Sequence, residues 1–184
     1  MEKTFEGIVA YARVFLGCSG WNLVTLLETE RLIIREFTNE DTEAVHAYAS
    51  DPLVAKYMIW GPKDFEFAVV LKETGQLIGG CGIHISEPVQ GEIGYCFNPL
   101  FWRQGYTSEA AASLLDFGFQ ELNLHRIYVT CRPENVGSAK VMHKLGMVYE
   151  GHLREHMWHK GRWHDSYQYS VLKPEYELQR GRRK

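Results

Sequence analysis

The sequence contains no apolar run approaching the twenty or so residues that a membrane-spanning helix needs. It also lacks a strong charge of either sign. The formal net charge is −3, whereas a dedicated nucleic-acid binder is normally strongly basic. Cysteine is scarce: the four residues at 18, 81, 96 and 131 include no CxxC pair. Spacing this wide fits neither a zinc knuckle nor a small disulfide scaffold. Three of the four lie in apolar, strand-like runs, where Cys acts as a small hydrophobe. There is no Asn-x-Ser/Thr sequon, and a reducing, cytoplasmic setting is expected. Internal repeats and low-complexity tracts are absent. The glycine pair at 79–80 is not followed by a helix start, which argues against a dinucleotide site.

What is present suits one ordinary domain. Apolar residues make up 45% of the 184 and charged residues 23%, enough to build a core and too apolar for wholesale disorder. Residues 1–26 read as an N-terminal extension. Phe5, Ile8, Val9, Ala12, Phe15 and Leu16 share one helical face, so an amphipathic helix or a loose extension is expected there. Glu2 and Glu6 cancel the positive start of an export signal, and Arg13 interrupts its apolar stretch. Residues 27–175 form the expected domain. Residues 176–184, with Arg180, Arg182, Arg183 and Lys184, read as a solvated basic tail.

Within the domain, alternation and apolar runs predict strands at 31–37, 65–71, 77–86, 92–98, 125–131, 153–158 and 163–172. Thr38 and Asp41 form a capping box for a helix that ends before Asp51-Pro52. Two further helices are expected over 107–122, with Thr107 or Ser108 as cap, and over 135–145, closed by Gly146. Lys160-Gly161 makes a two-residue turn that pairs Trp158 with Trp163. The order implies a mixed α/β (α+β) domain, with a largely antiparallel sheet flanked by helices and a C-terminal hairpin.

Two junctions can carry chemistry. At 92–108 a strand leads through a short loop into a helix. Gly105 permits close backbone approach, Thr107 and Ser108 offer hydroxyls, Arg103 offers charge, and the helix start offers free N–H groups. Together these suit a pyrophosphate; an ordinary capped helix is the plainer alternative. The loop carries no Lys-Ser/Thr pair, so phosphate would be held rather than transferred. At 132–140, Asn135 and Ser138 lie three apart at a helix start, placed either to cap it or to hydrogen-bond an amide-rich ligand. His152, His156, His159 and His164 are close in sequence. Strand alternation places His152 and His156 on one face and His159 and His164 on the other, so no metal site is expected; His156 is expected to pair with Asp165.

Five segments together resemble the GNAT superfamily of N-acetyltransferases, in particular its RimJ/RimL-like branch. They are LETERLIIREFTNEDTEAV, TGQLIGGCGI, EIGYCFNPLFWRQGYTSEA, NLHRIYVTCRPENVGSAKVMHKLGMVYEG and HKGRWHDSYQYSVL, in family order from about 27 to 172. The resemblance implies acetyl transfer from acetyl-CoA to a primary amine by direct attack in a ternary complex. It implies that Tyr95, Cys96 and Phe97 lie nearest the pantetheine arm. The phosphate loop falls on Arg103, Gln104, Gly105, Tyr106 and Thr107 after Trp102, with Ser108 beside it. Asn135 matches the pantetheine-bonding position and Ser138 the position near the sulfur. The Tyr acid that many members carry is replaced by Met142, leaving Ser138 as candidate acid. Glu92 is the candidate base, with a salt-bridged strand carboxylate as the equal alternative, and His84 is a second candidate.

The acceptor is expected to be a protein N-terminus, such as that of a ribosomal protein, or a small amine. Neither nucleic acid nor membrane is an expected partner, and a homodimer is a possible assembly. One departure stands out: the helix that the family carries after Trp60-Gly61-Pro62 is missing, and it usually walls the acceptor side. A CoA-binding protein with little or no turnover is therefore the alternative, and a role in protein contact through the N-terminal segment or the hairpin is a third.

Overall fold

Strands dominate where β-branched and aromatic residues alternate or cluster between turn signals. In the computed structural model, residues 9–11, 26–58 and 64–181 are described. Among the described residues nine strands run β1 (Val9–Tyr11), β2 (Leu26–Glu28), β3 (Leu32–Arg35), β4 (Phe65–Leu71), β5 (Leu77–Glu87), β6 (Gln90–Phe97), β7 (Arg126–Cys131), β8 (Val148–His159) and β9 (Arg162–Leu172). They form one sheet in the order β1-β2-β3-β4-β5-β6-β7-β9-β8. Every neighbouring pair is antiparallel except β6 and β7, which are parallel. The α+β fold with a largely antiparallel sheet and a C-terminal hairpin is thus as the sequence implied.

Five helices accompany the sheet among the described residues: α1 (Thr42–Ala49), α2 (Pro52–Ala55), α3 (Tyr106–Gln120), α4 (Val136–Lys144) and α5 (Lys173–Gly181). One face of the sheet carries α3, α4 and α5. Ala111, Leu114 and Phe117 of α3 and Met142 of α4 are buried there against Phe67, Ile83, Ile127 and Val129. Removing a phenylalanine such as Phe117 from water stabilises the fold by roughly 2–3 kcal/mol. The opposite face carries α1 and α2, with Tyr48 and Val54 packed against Ala68, Val70 and Cys96. Cys81, Cys96 and Cys131 are buried free thiols, consistent with their reading as small hydrophobes.

The capping box at Thr38 and Asp41 is present. The Asp41 carboxylate accepts the Thr38 N–H at 2.7 Å and also pairs with Arg35 at 2.7 Å. Gly146 closes α4 with a φ of 75°, a left-handed conformation that glycine adopts without a Cβ penalty.

Four expectations need correction. Of the segment read as an amphipathic helix, Val9–Tyr11 is extended and pairs with Leu26–Glu28; the rest lies outside the described residues. The tail from 176 is not simply a solvated end. It lies largely within α5, whose Tyr176 is buried and stacks on Phe119 with ring centroids 4.8 Å apart. Periodicity hid this helix behind Glu175, Glu177 and Arg180. Helix α3 is capped by Gly105, not by Thr107 or Ser108, which lie in its first turn.

The fourth correction concerns the histidines. The Trp158–Trp163 pairing is as expected. A register shift between Leu153 and Met157, with Glu155 at φ 48°, then breaks the alternation. Asp165 therefore meets His152, Oδ2 to Nε2 at 2.6 Å, while His156 Nδ1 lies 3.0 Å from Ser166 Oγ.

Candidate active site

The parallel pair β6/β7 is in register only from Gln90 opposite Arg126 to Glu92 opposite Tyr128. Beyond that point β6 continues to Phe97 along β5, and β7 continues to Cys131 along β9. The two strands separate, so among the described residues their facing edges lack ladder partners over Ile93 to Phe97 and Val129 to Cys131. Backbone N–H and C=O groups so exposed call for a partner outside the sheet. A cleft of about 650 Å³ occupies the separation. On one side it reaches Asn135, the cap of α4, and Ser138 in that helix, and on the other Val45 and Tyr48 of α1 with Tyr57 and Met58 after α2.

Glu92, Tyr95, Cys96, Asn135 and Ser138 are brought together as lining of this cleft. Glu92 sits where the strands part, half-buried, and its carboxylate accepts the Thr130 hydroxyl at 2.9 Å. The Tyr95 phenol lies 2.7 Å from Ser138 Oγ. Burial pushes the Tyr95 phenol far above its ordinary value, so it stays protonated. Asn135 caps α4, its Oδ1 accepting the Ser138 N–H at 3.1 Å. Met142 is fully buried in the core. Burial also raises Cys131, to about 11, and Cys96, to about 12, so neither thiol is poised as a nucleophile.

His84 is not part of the cleft lining. Its Nδ1 lies 2.8 Å from Asp64 Oδ2, an oxygen that also accepts the Ile85 N–H. Phe97 is buried in the core, and it too stands outside the lining.

Arg103, Gln104, Gly105, Tyr106, Thr107 and Ser108 lie apart from the lining, at the start of α3. Gly105 takes φ 87° and Arg103 takes φ 62°, which turns the chain sharply into the helix. Among the described residues no side chain caps this end, which leaves the first-turn N–H groups without a side-chain partner there. The loop is held from outside by a residue that sequence reasoning passed over. Arg31 Nη1 donates to the Gln104 carbonyl at 3.1 Å, and its guanidinium carbon lies 4.4 Å from the Tyr106 ring centroid. Arg31 also pairs with Glu109 of α3 at 2.6 Å, and the Thr29 hydroxyl donates to the same carboxylate. Burial acts to raise Glu109, but the hydrogen bonds from Thr29 and Arg31 outweigh it and hold the carboxyl below its ordinary value. Nothing local marks this contact, because 78 residues separate Arg31 from Glu109.

The side of the cleft where the expected helix is missing is lined by other elements. Helix α2, a short turn that the sequence reading omitted, stands beside the hairpin tip, and Lys160 Nζ donates to the Ala55 carbonyl at 2.9 Å. Phe37, Tyr57, Met58 and Met157 give this side an apolar lining. Residues 59–63, where the missing helix would begin, lie outside the described residues.

Residues 31–148 match the model of an acetyltransferase (GNAT) domain. The chain is 39% identical over 168 residues to an uncharacterized N-acetyltransferase, YnaD, of Bacillus subtilis (strain 168), covering 82% of this chain and 98% of that one. It is 38% identical to an uncharacterized N-acetyltransferase, p20, of Bacillus licheniformis, covering 82% and 97%. Among solved structures it is similar to the GNAT-family acetyltransferase from Bacillus anthracis, with a TM-score of 0.76 and 38% identity over 82% of this chain and all of that one.

Proposed function

The chain belongs to the GNAT acetyltransferase family, and on that premise we propose that it moves an acetyl group from acetyl-CoA to a primary amine by direct attack in a ternary complex. The observation that carries this reading is the separation of β6 from β7. It leaves the β6 edge at Tyr95 and Cys96 without ladder partners and open to the amides of a pantetheine arm, while the Phe97 carbonyl already accepts the Trp102 indole N–H. The uncapped start of α3, with Arg103, Gln104, Gly105, Tyr106, Thr107 and Ser108, supplies N–H groups, hydroxyls and charge for the pyrophosphate. Asn135 spends its Oδ1 on the α4 cap, which leaves its amide N–H pair for the arm.

The residues then divide the work. Glu92 accepts the proton of the acceptor ammonium through water, because only the neutral amine attacks. A strand N–H between Tyr95 and Phe97 donates to the carbonyl oxygen as negative charge develops there. Ser138, backed by the protonated Tyr95, supplies the proton for the departing thiolate. Acetyl-CoA brings the activated acetyl group, and the residues require no metal for these roles.

The RimJ/RimL-like branch and an acceptor that is a protein N-terminus or a small amine remain part of this proposal, as does the division at residue 27 between extension and domain. A CoA-binding role without turnover draws its support from the missing helix; the α2–hairpin wall supports turnover instead. Calorimetry with CoA and a thiol-release assay with acetyl-CoA and an amine panel test the reading. CoA binding with no release from any amine supports the non-catalytic alternative.

A further inference from the structure

Where the sheet borders the cleft on the α1 side, its floor is bare. Glu66, Gly82 and Gly94 stand opposite one another on β4, β5 and β6, and Ala68, Gly80 and Cys96 form the next cross-strand row. Ala68 and Cys96 pack against Tyr48 of α1. Residues two apart on a strand share a face, so both rows, and Glu92 two residues before Gly94, belong to the α1 side. Gly80, Gly82 and Gly94 line the cleft and put no side chain into it.

Two polar groups border this floor without partners. The Tyr48 side chain is only 3% exposed, yet it lines the cleft. Its hydroxyl lies 3.4 Å from the point where a Cβ on Gly80 would stand. Burial, followed by the nearby ionisable groups of Cys96, Cys81, Asp41 and Glu66, raises the phenol above its ordinary value, and no hydrogen bond contributes. The hydroxyl is thus a protonated group with no partner among the described residues. Unlike the Tyr176 hydroxyl it is not occluded, so it opens on the cleft. A buried hydroxyl left unpaired carries a desolvation cost that a ligand group would relieve. Glu66 also lines the cleft, and its exposed carboxylate forms no ion pair or hydrogen bond among the described residues. Arg132, the one cation of the described lining, follows β7 on the far side of the opening.

Resting on the acetyl-transfer reading above, we infer that Tyr48 and Glu66 set acceptor specificity, and that the acceptor is an amine bearing a second hydrogen-bond donor, a hydroxyl or a second ammonium. The reacting nitrogen lies toward Glu92, the chain crosses the glycine floor, and the second group donates to the Glu66 carboxylate and meets the Tyr48 hydroxyl. Successive rows are about 7 Å apart along the strands, so a short chain spans them.

The test measures thiol release from acetyl-CoA with butylamine, pentylamine and hexylamine, and with the amino alcohols and diamines of matching chain length. At the best length the amino alcohol, the diamine or both should exceed the alkylamine in kcat/KM by roughly three- to tenfold, the worth of a hydrogen bond. Which of them does so identifies the second group. In Y48F, which removes only the hydroxyl, that preference should fall severalfold, with the loss in KM rather than kcat. In E66Q, which keeps an acceptor oxygen and loses the charge, a preference for the diamine should fall further than one for the amino alcohol. Thermal melts show whether each variant is folded, and E66Q alone decides if Y48F is not. Alkylamines used as well as their donor-bearing counterparts at every length, or preferences unmoved in Y48F or in E66Q, overturn the inference. So does transfer to none of the probes by a protein that binds CoA. Failure to bind CoA overturns the acetyl-transfer reading itself, which separates the two failures.

Discussion

The phenolic oxygen of Tyr95 lies 2.7 Å from Ser138 Oγ, joining the middle of β6 to the first turn of α4 across the cleft. Burial keeps that phenol protonated. The fully buried Met142 offers no proton, which leaves this pair as the candidate source. A thiol of ordinary pKa near 8.5 leaves tolerably unaided, so the contribution of an acid here is modest. S138A is expected to lower kcat about tenfold and Y95F by a smaller factor, both with the KM for acetyl-CoA within about threefold. Steady-state thiol release measures both. An unchanged kcat in S138A removes this serine as the acid.

The contact of Arg31 with Glu109 and the Gln104 carbonyl pins the loop before α3. E109Q removes the charge that holds Arg31, and the loop loses its brace. CoA affinity by calorimetry should drop about three- to tenfold, with stability changing by less than about 1 kcal/mol because Arg31 is partly exposed. Unaltered affinity would show that the loop holds its shape without Arg31.

Asp41 gives the fold an acid-sensitive element. Hydrogen bonds from Arg35 are the largest cause that holds it down, from 3.8 to about 2. The folded value is the lower one, so the stabilisation is fully present above the unfolded value and is lost as pH falls toward 2. D41N should cost roughly 1–2 kcal/mol at neutral pH, and the gap to the unmodified protein should close between about pH 4 and pH 2. Urea unfolding over that range measures it; a gap independent of pH would assign the cost to packing instead.

Much of this fold was legible because its elements are punctuated locally. Phe65–Leu71 was read to the residue, and Lys160-Gly161 fixed the hairpin register at Trp158 and Trp163. What escaped depends on geometry that period counting does not carry. The irregularity at Glu155 moved Asp165 from His156 to His152. Tyr176 was hidden in a charged segment because the partner that buries it, Phe119, lies far away in sequence. In the cleft, Glu92, Tyr95, Asn135 and Ser138 were legible through two junction motifs and a resemblance. Arg31 was not, because its significance comes from which atoms it meets in space.

Calorimetric titration of CoA into the full chain and into N135A tests most directly whether the opening between β6 and β7 receives acetyl-CoA. One CoA per chain is expected, bound about tenfold more weakly by N135A through loss of its hydrogen bonds. Equal affinity in the two proteins, or no binding by the unmodified chain, would contradict it.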